Sequence, residues 1–136
     1  MGALVSDQEV FTSVNIGTGP DFTVVSALKL PPGSWVVFAT VALGPSTSTL
    51  GASSVQMLFL LDGKPYSTAV QSDFTITNKL DGTVGGFLVV PLTTGVVLDK
   101  PKTLQVGCVA TQKNTVSSQP TTITAIQVES VTRIRT

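Results

Sequence analysis

Few side chains in this 136-residue chain could carry out chemistry, and they are dispersed. There is no histidine, which excludes Ser-His-Asp and Cys-His catalysis and imidazole metal sites. The eight carboxylates lie mostly at turn positions, and no two of them have the spacing expected of a glycosidase pair. We therefore expect no enzyme activity and no cofactor, while calcium held by loop carboxylates and carbonyls stays open.

Two further features could be reactive or bind phosphate, and both favour a structural interpretation. Cys108 is the only cysteine, so no intrachain disulfide can form. It lies in a strand-like run, 104–110, where a small buried apolar residue is expected. The glycine-rich segment 81–86 has neither a following helix nor a lysine at P-loop spacing, so it does not indicate a nucleotide site.

Composition bounds the kind of surface that the chain presents. Eight basic and eight acidic residues balance, which argues against nucleic acid and anionic membranes as partners. The polar surface is supplied by 33 serine and threonine residues, against 16 charged ones. The mean hydropathy of +0.40 is high for a monomer, so we expect part of the apolar surface to lie in subunit contacts.

Periodicity predicts strands along nearly the whole chain, which is long enough for one domain with a full core. The segment 35–43 is largely apolar on both faces, so another sheet or another subunit must cover its second face. Asp62-Gly63 predicts a tight hairpin turn. The predicted strands are 9–15, 23–30, 35–43, 55–61, 66–71, 74–78, 85–92, 96–98, 103–111 and 122–135.

Three segments rich in Ser, Thr, Gly and Pro separate these strands, at 44–54, 78–86 and 112–121. They are either solvated connections or recognition loops held at one end of a rigid sandwich. The candidate recognition residues are Ser46, Thr47, Ser48, Asn114, Ser117 and Ser118.

Two regions of the sequence resemble a known family. The segment 28–37, with its Gly33-x-Trp35-x-Val37 pattern, is similar to the strand that opens C1q- and tumour-necrosis-factor-like jelly rolls. The segments 104–109 and 124–131 resemble the closing strands of related domains in phage and bacterial surface proteins. The resemblance implies an all-β, two-sheet antiparallel jelly-roll sandwich that forms a homotrimer. Residues 19–136 would form this sandwich and residues 1–18 an N-terminal arm.

A protein of this kind suits a phage virion. We expect a capsid decoration protein that binds and stabilises the assembled capsid. Its arm would contact capsid protein through Val10, Phe11 and Val14. The residues expected to pack the core and the trimer are Trp35, Val37, Phe38, Val41 and Phe59.

Two alternative functions stay open, the receptor-binding tip of a tail fibre and a C1q-like bacterial binding module. Either would add a glycan or a host receptor as a partner. Residues 1–9 lack the basic and apolar regions of a secretory signal, so we expect synthesis in the host cytoplasm and a place on the capsid surface of the virion.

Overall fold

The computed structural model describes residues 4–6, 9–10, 14–45, 51–67, 70–78, 84–85, 88–111, 116–118 and 120–131. These residues form strands and connections, with no helix among them. None of this part of the chain forms a helix long and apolar enough to cross a membrane. The strands are β1 (Leu4–Ser6), β2 (Glu9–Val10), β3 (Thr23–Leu30), β4 (Gly33–Pro45), β5 (Gly51–Leu61), β6 (Lys64–Pro65), β7 (Val70–Asn78), β8 (Val84–Gly85), β9 (Leu88–Leu98), β10 (Lys102–Ala110), β11 (Val116–Ser118) and β12 (Thr122–Val128).

The strands form an all-β sandwich of two antiparallel sheets. In sheet A, β4 pairs with β9 along one edge and with β12 and β11 in tandem along the other, and β1 lies outside β12. Sheet B runs in the order β2-β3-β10-β5-β7-β8, with β6 also paired to β5. Successive long strands mostly alternate between the two sheets, an order consistent with a jelly roll.

The core lies between the inner faces of the two sheets. Because alternate residues of a strand point to opposite sides, one face of β4 enters this core as a set. Its members, all nearly inaccessible to solvent, are Trp35, Val37, Ala39, Val41 and Leu43. Sheet B faces them with buried residues that include Leu28, Phe59 and Leu104. The Trp35 indole N–H donates to the Pro31 carbonyl at 3.0 Å, which satisfies its one polar group.

Several predicted elements agree with the structure and others differ. Strand β3 has the predicted bounds, and the turn at Asp62 and Gly63 has positive φ at both residues, 49° and 82°. The predicted strands 66–71 and 74–78 are replaced by the single strand β7, and 85–92 and 96–98 by the continuous strand β9. Strand β11 lies inside the segment predicted as a loop at 112–121.

The segment 1–18, expected to be an arm, pairs with the sandwich wherever the structure describes it. Strand β1 extends sheet A beside β12, and β2 extends sheet B beside β3. Further along, the Ile16 N–H donates to the Val116 carbonyl and the Ser118 N–H to the Val14 carbonyl. Ile16 is fully buried in the core. The division into an arm at residues 1–18 and a sandwich at residues 19–136 stays a prediction.

The outer face of sheet B is partly covered by the chain that leads into β3. By alternation with Phe59, Leu60 points away from the core, yet it is only 3% exposed. It lies against Gly107, where an added Cβ would come within 2.7 Å of Leu60 Cδ1 and 2.9 Å of Phe22 Cβ. Gly107 thus allows Phe22 to pack directly onto the sheet.

Gly107→Ala should therefore lower the free energy of unfolding by about 1–3 kcal/mol, the usual cost of overpacking. The Phe22 Cβ cannot swing aside without moving its backbone. Gly17→Ala is the matched control, because its new Cβ would meet Thr23 Oγ1 at an ordinary 3.4 Å. Urea unfolding measures both variants, and equal midpoints would contradict this packing of Phe22.

Cys108 lies in the core on β10, and its burial raises the pKa of the thiol from 9.0 to about 12. The folded protein keeps the thiol proton over a pH range in which the unfolded chain has lost it. A proton held more tightly by the folded state means that stability falls as pH rises.

We therefore expect the free energy of unfolding to decrease between about pH 9 and about pH 12, by up to about 1.4 kcal/mol per pH unit from this one group. Urea unfolding of the wild type and of Cys108→Ala at a series of alkaline pH values isolates the contribution, since all other groups are shared. Parallel pH profiles for the two proteins would refute it.

Candidate interaction surface

The outer face of sheet A carries side chains from three adjacent strands and none of them is charged. These positions alternate with the buried residues of β4, β9 and β12, so they point away from the core. They are hydroxyl-bearing or apolar without exception. The members are Ser34, Val36, Phe38, Thr40, Ala42, Val89, Pro91, Thr93, Gly95, Val97, Thr122, Thr124, Ile126 and Val128.

Large apolar side chains on this outer face are open to solvent. Phe38 is 46% exposed, Val89 63%, Val97 61% and Ile126 40%. Phe38 pairs with Thr124 and Val36 with Ile126, so Phe38 and Ile126 are diagonal neighbours across two strands. These four exposed apolar side chains make the outer face of sheet A the candidate interaction surface of the described residues.

Val131 and Tyr66 both contact β9 at Gly95. A Cβ on Gly95 would clash with the side chain of Val131, so the segment that follows β12 folds back over β9 there. At the same residue the Tyr66 hydroxyl donates to the Gly95 carbonyl at 3.0 Å. Strand β9 pairs only with β4 among the described strands, and Tyr66 ties it to sheet B.

The residues predicted to pack the core and trimer divide between the two faces of their strands. Trp35, Val37, Val41 and Phe59 are buried in the core. Phe38 lies on the outer face of sheet A. Sequence reasoning missed Val89, Val97 and Ile126. The alternation along β9 that would indicate Val89 and Val97 is interrupted at Thr93, Thr94 and Gly95. The outward position of Ile126 depends on the pairing of β12 with β4.

Of the predicted recognition and arm residues, the structure brings together Val14 and Ser118 and leaves several others undescribed. Ser46, Thr47, Ser48, Asn114 and Phe11 lie outside the described residues. Ser117 and Ser118 are not on a loop, because they form β11 against Gly44 and Leu43 and are buried. Val10 pairs with Ser26, and the half-buried Val14 donates its N–H to Ser118 Oγ at 3.0 Å. A capsid contact through Val10, Phe11 and Val14 stays a prediction.

The described carboxylates and the Cys108 thiol do not form a cluster. Among the described residues, no three Asp, Glu or Cys side chains come close enough to hold a metal ion. Asp62 has a structural role at its turn, where its Oδ1 accepts the Thr103 N–H at 2.9 Å. Its own N–H donates to the Thr103 carbonyl, also at 2.9 Å.

No family model and no curated protein sequence matches the chain. Among solved structures, dimeric latent PorU from Porphyromonas gingivalis is similar to it, with 14% identity over 93% of this chain and 13% of that chain, and a TM-score of 0.46. The EclA C-terminal domain, a sugar-binding protein, shows 14% identity over 90% of this chain and 78% of that domain, with a TM-score of 0.42. A chain of the T13 IBDV viral particle shows 9% identity over 93% of this chain and 35% of that one, with a TM-score of 0.49. The chain thus spans a small part of PorU and about a third of the viral chain.

Proposed function

We propose that this chain is a structural protein of a phage virion, a capsid decoration protein that assembles as a homotrimer through the outer face of sheet A. The observation that supports the assembly is the exposure of Phe38, Ile126, Val89 and Val97 on a face whose described side chains are all uncharged. The proposed fold type is the C1q- and tumour-necrosis-factor-like jelly roll that the segments 28–37, 104–109 and 124–131 resemble.

Burying this outer face costs little desolvation. Removing a charged side chain from water is expensive unless it finds a partner, and none of the described side chains that β4, β9 and β12 place on this face is charged. Its polar members Thr40, Thr93, Thr122 and Thr124 carry hydroxyls, which rotate to donate or accept as a neighbour requires. Apolar contact around Phe38 then supplies the favourable free energy.

The size of the face limits what it can contribute to a contact between copies. From Val89 to Val97 it extends about 26 Å along the strands, and three strands at about 4.8 Å spacing give about 370 Å². Two such faces in contact would bury about 750 Å², less than the about 1,000 Å² of a specific interface, so a stable trimer also uses contacts beside this face. Around a threefold axis each copy turns the face toward both neighbours, which closes the ring and prevents open-ended growth.

The virion assignment rests on the family resemblance and on what the surface offers. A neutral, hydroxyl-rich sandwich is suited to many weak contacts that add across the copies of a trimer. Binding only to the assembled capsid would stabilise that capsid by mass action. The two alternative functions are a receptor-binding tip of a tail fibre and a C1q-like bacterial binding module. Either would form the same trimer, and the trimer would contact a glycan or a host receptor instead of the capsid.

Light scattering should return a mass of about 42 kDa, three copies of 14.1 kDa. Phe38→Lys and Ile126→Lys should each shift the mass toward the monomer, because each places an unpaired charge in the contact. Thr103→Lys is the control, because alternation with the buried Leu104 places Thr103 on the outer face of sheet B. A 14.1 kDa wild type at micromolar concentration would contradict the trimer, and so would lysine variants that fold and keep the wild-type mass.

The decoration role predicts that virions which carry the protein release their DNA at a higher temperature than virions depleted of it. Adding the purified wild type back should restore the higher release temperature, and adding Phe38→Lys should not. Because the chain is neutral, moderate salt should change this rescue little. Equal release temperatures with and without the protein would argue against decoration and leave the trimer prediction standing.

A further inference from the structure

The turn between β5 and β6 holds a residue pair that is prone to covalent rearrangement. Asp62 precedes Gly63 there. In an Asp-Gly pair the glycine amide nitrogen can attack the aspartate side-chain carbon, because glycine has no Cβ to obstruct the approach. Both residues of the turn are exposed, so water reaches them freely.

The rearrangement needs no reactant other than water. A bond forms between Gly63 N and Asp62 Cγ, the nitrogen gives up its proton, and the carboxyl group loses a hydroxide, so one water molecule is released and a succinimide ring results. One water molecule then opens the ring. Opening at the side-chain carbonyl restores aspartate, and opening at the main-chain carbonyl yields isoaspartate, in which the backbone runs through Cγ.

Both reacting groups are engaged in hydrogen bonds to β10. The Gly63 N–H donates to Gln105 Oε1 at 2.8 Å. Asp62 Oδ1 accepts the Thr103 N–H at 2.9 Å, and the Asp62 N–H donates to the Thr103 carbonyl at 2.9 Å. These are the lengths of well-formed N–H···O hydrogen bonds. The main chain, the carboxylate and the attacking nitrogen of the turn are therefore all held by one strand.

Ring closure cannot proceed while these contacts are kept. The proton that Gly63 donates to Gln105 is the proton that its nitrogen must give up. The Gln105 amide oxygen is a neutral acceptor, so it holds this proton without removing it. The contact of Oδ1 with Thr103 also restricts the rotation that brings Asp62 Cγ to the nitrogen.

We propose that Asp62-Gly63 is a latent isoaspartate site and that Gln105 is the positioning residue that keeps it closed. The pair reacts only when the turn opens locally and the Gly63 N–H leaves Gln105. Exclusion of water contributes nothing to the protection, because both turn residues are exposed. The hydrogen bonds to β10 therefore supply it.

Isoaspartate at position 62 would affect more than the turn. The additional backbone atom shifts the Asp62 and Gly63 amides out of register with β10. The same hairpin leads into Tyr66, whose hydroxyl donates to the Gly95 carbonyl of β9 at 3.0 Å. The proposal uses no contact between copies and no capsid, so the trimer and the decoration role can fail without affecting it.

The test incubates the folded full chain at neutral pH in water enriched in oxygen-18 and maps its peptides by mass spectrometry. Each succinimide that hydrolyses takes up one solvent oxygen, so the peptide with Asp62 gains mass whichever way the ring opens. Gln105→Met removes the acceptor and keeps a long side chain. We expect it to incorporate the label about three- to tenfold faster than the wild type, the increase in the open population that loss of one hydrogen bond produces.

Thr103→Ala is the matched control, because it changes a side chain beside the same turn and keeps the main-chain groups that contact Asp62. It should incorporate the label at the wild-type rate. The wild type unfolded in guanidinium chloride gives the upper limit. There Asp62-Gly63 and Asp81-Gly82, both preceded by leucine, should react at similar rates.

Amide hydrogen exchange of Gly63 in the wild type tests the same contact without a substitution, and we expect it to be slower than in the unfolded chain. Exchange at the unfolded rate would contradict the bond to Gln105. The proposal is also overturned if the folded wild type incorporates the label at Asp62 as fast as the unfolded chain, or if Gln105→Met keeps the wild-type fold and the wild-type rate. Equal acceleration by Thr103→Ala and Gln105→Met would remove the role given to Gln105.

Discussion

The burial of one face of β4 against sheet B constrains nearly everything else about this molecule. Trp35, Val37 and Val41 occupy the centre of the core, and a slip of one residue would turn this whole set outward. With the register held in this way, the opposite set on β4 has to face outward, whatever its polarity. Phe38 is therefore exposed because Trp35 and Val37 point into the core. Because β9 and β12 pair with β4 in register, their outward residues lie beside those of β4 on both sides.

Local rules were sufficient for the parts of the fold that depend on neighbours in sequence. The turn at Asp62 and Gly63 and the strand β3 follow from turn chemistry and alternation. Strand β9 was predicted as two pieces because Thr93, Thr94 and Gly95 break its apolar pattern. It is continuous in the structure because β4 pairs with it throughout. Pro91 is tolerated within it because β9 is an edge strand, which needs ladder donors on one side only. Pairing of β1, β2 and β11 with distant strands leaves no local signal.

The candidate surface was partly visible in the sequence. The doubly apolar segment 35–43 predicts a partner for the second face of its strand, which stays a prediction, and it includes Phe38, which the structure exposes on that face. The contributions of Val97 and Ile126 depend on the register with β4, which composition cannot supply.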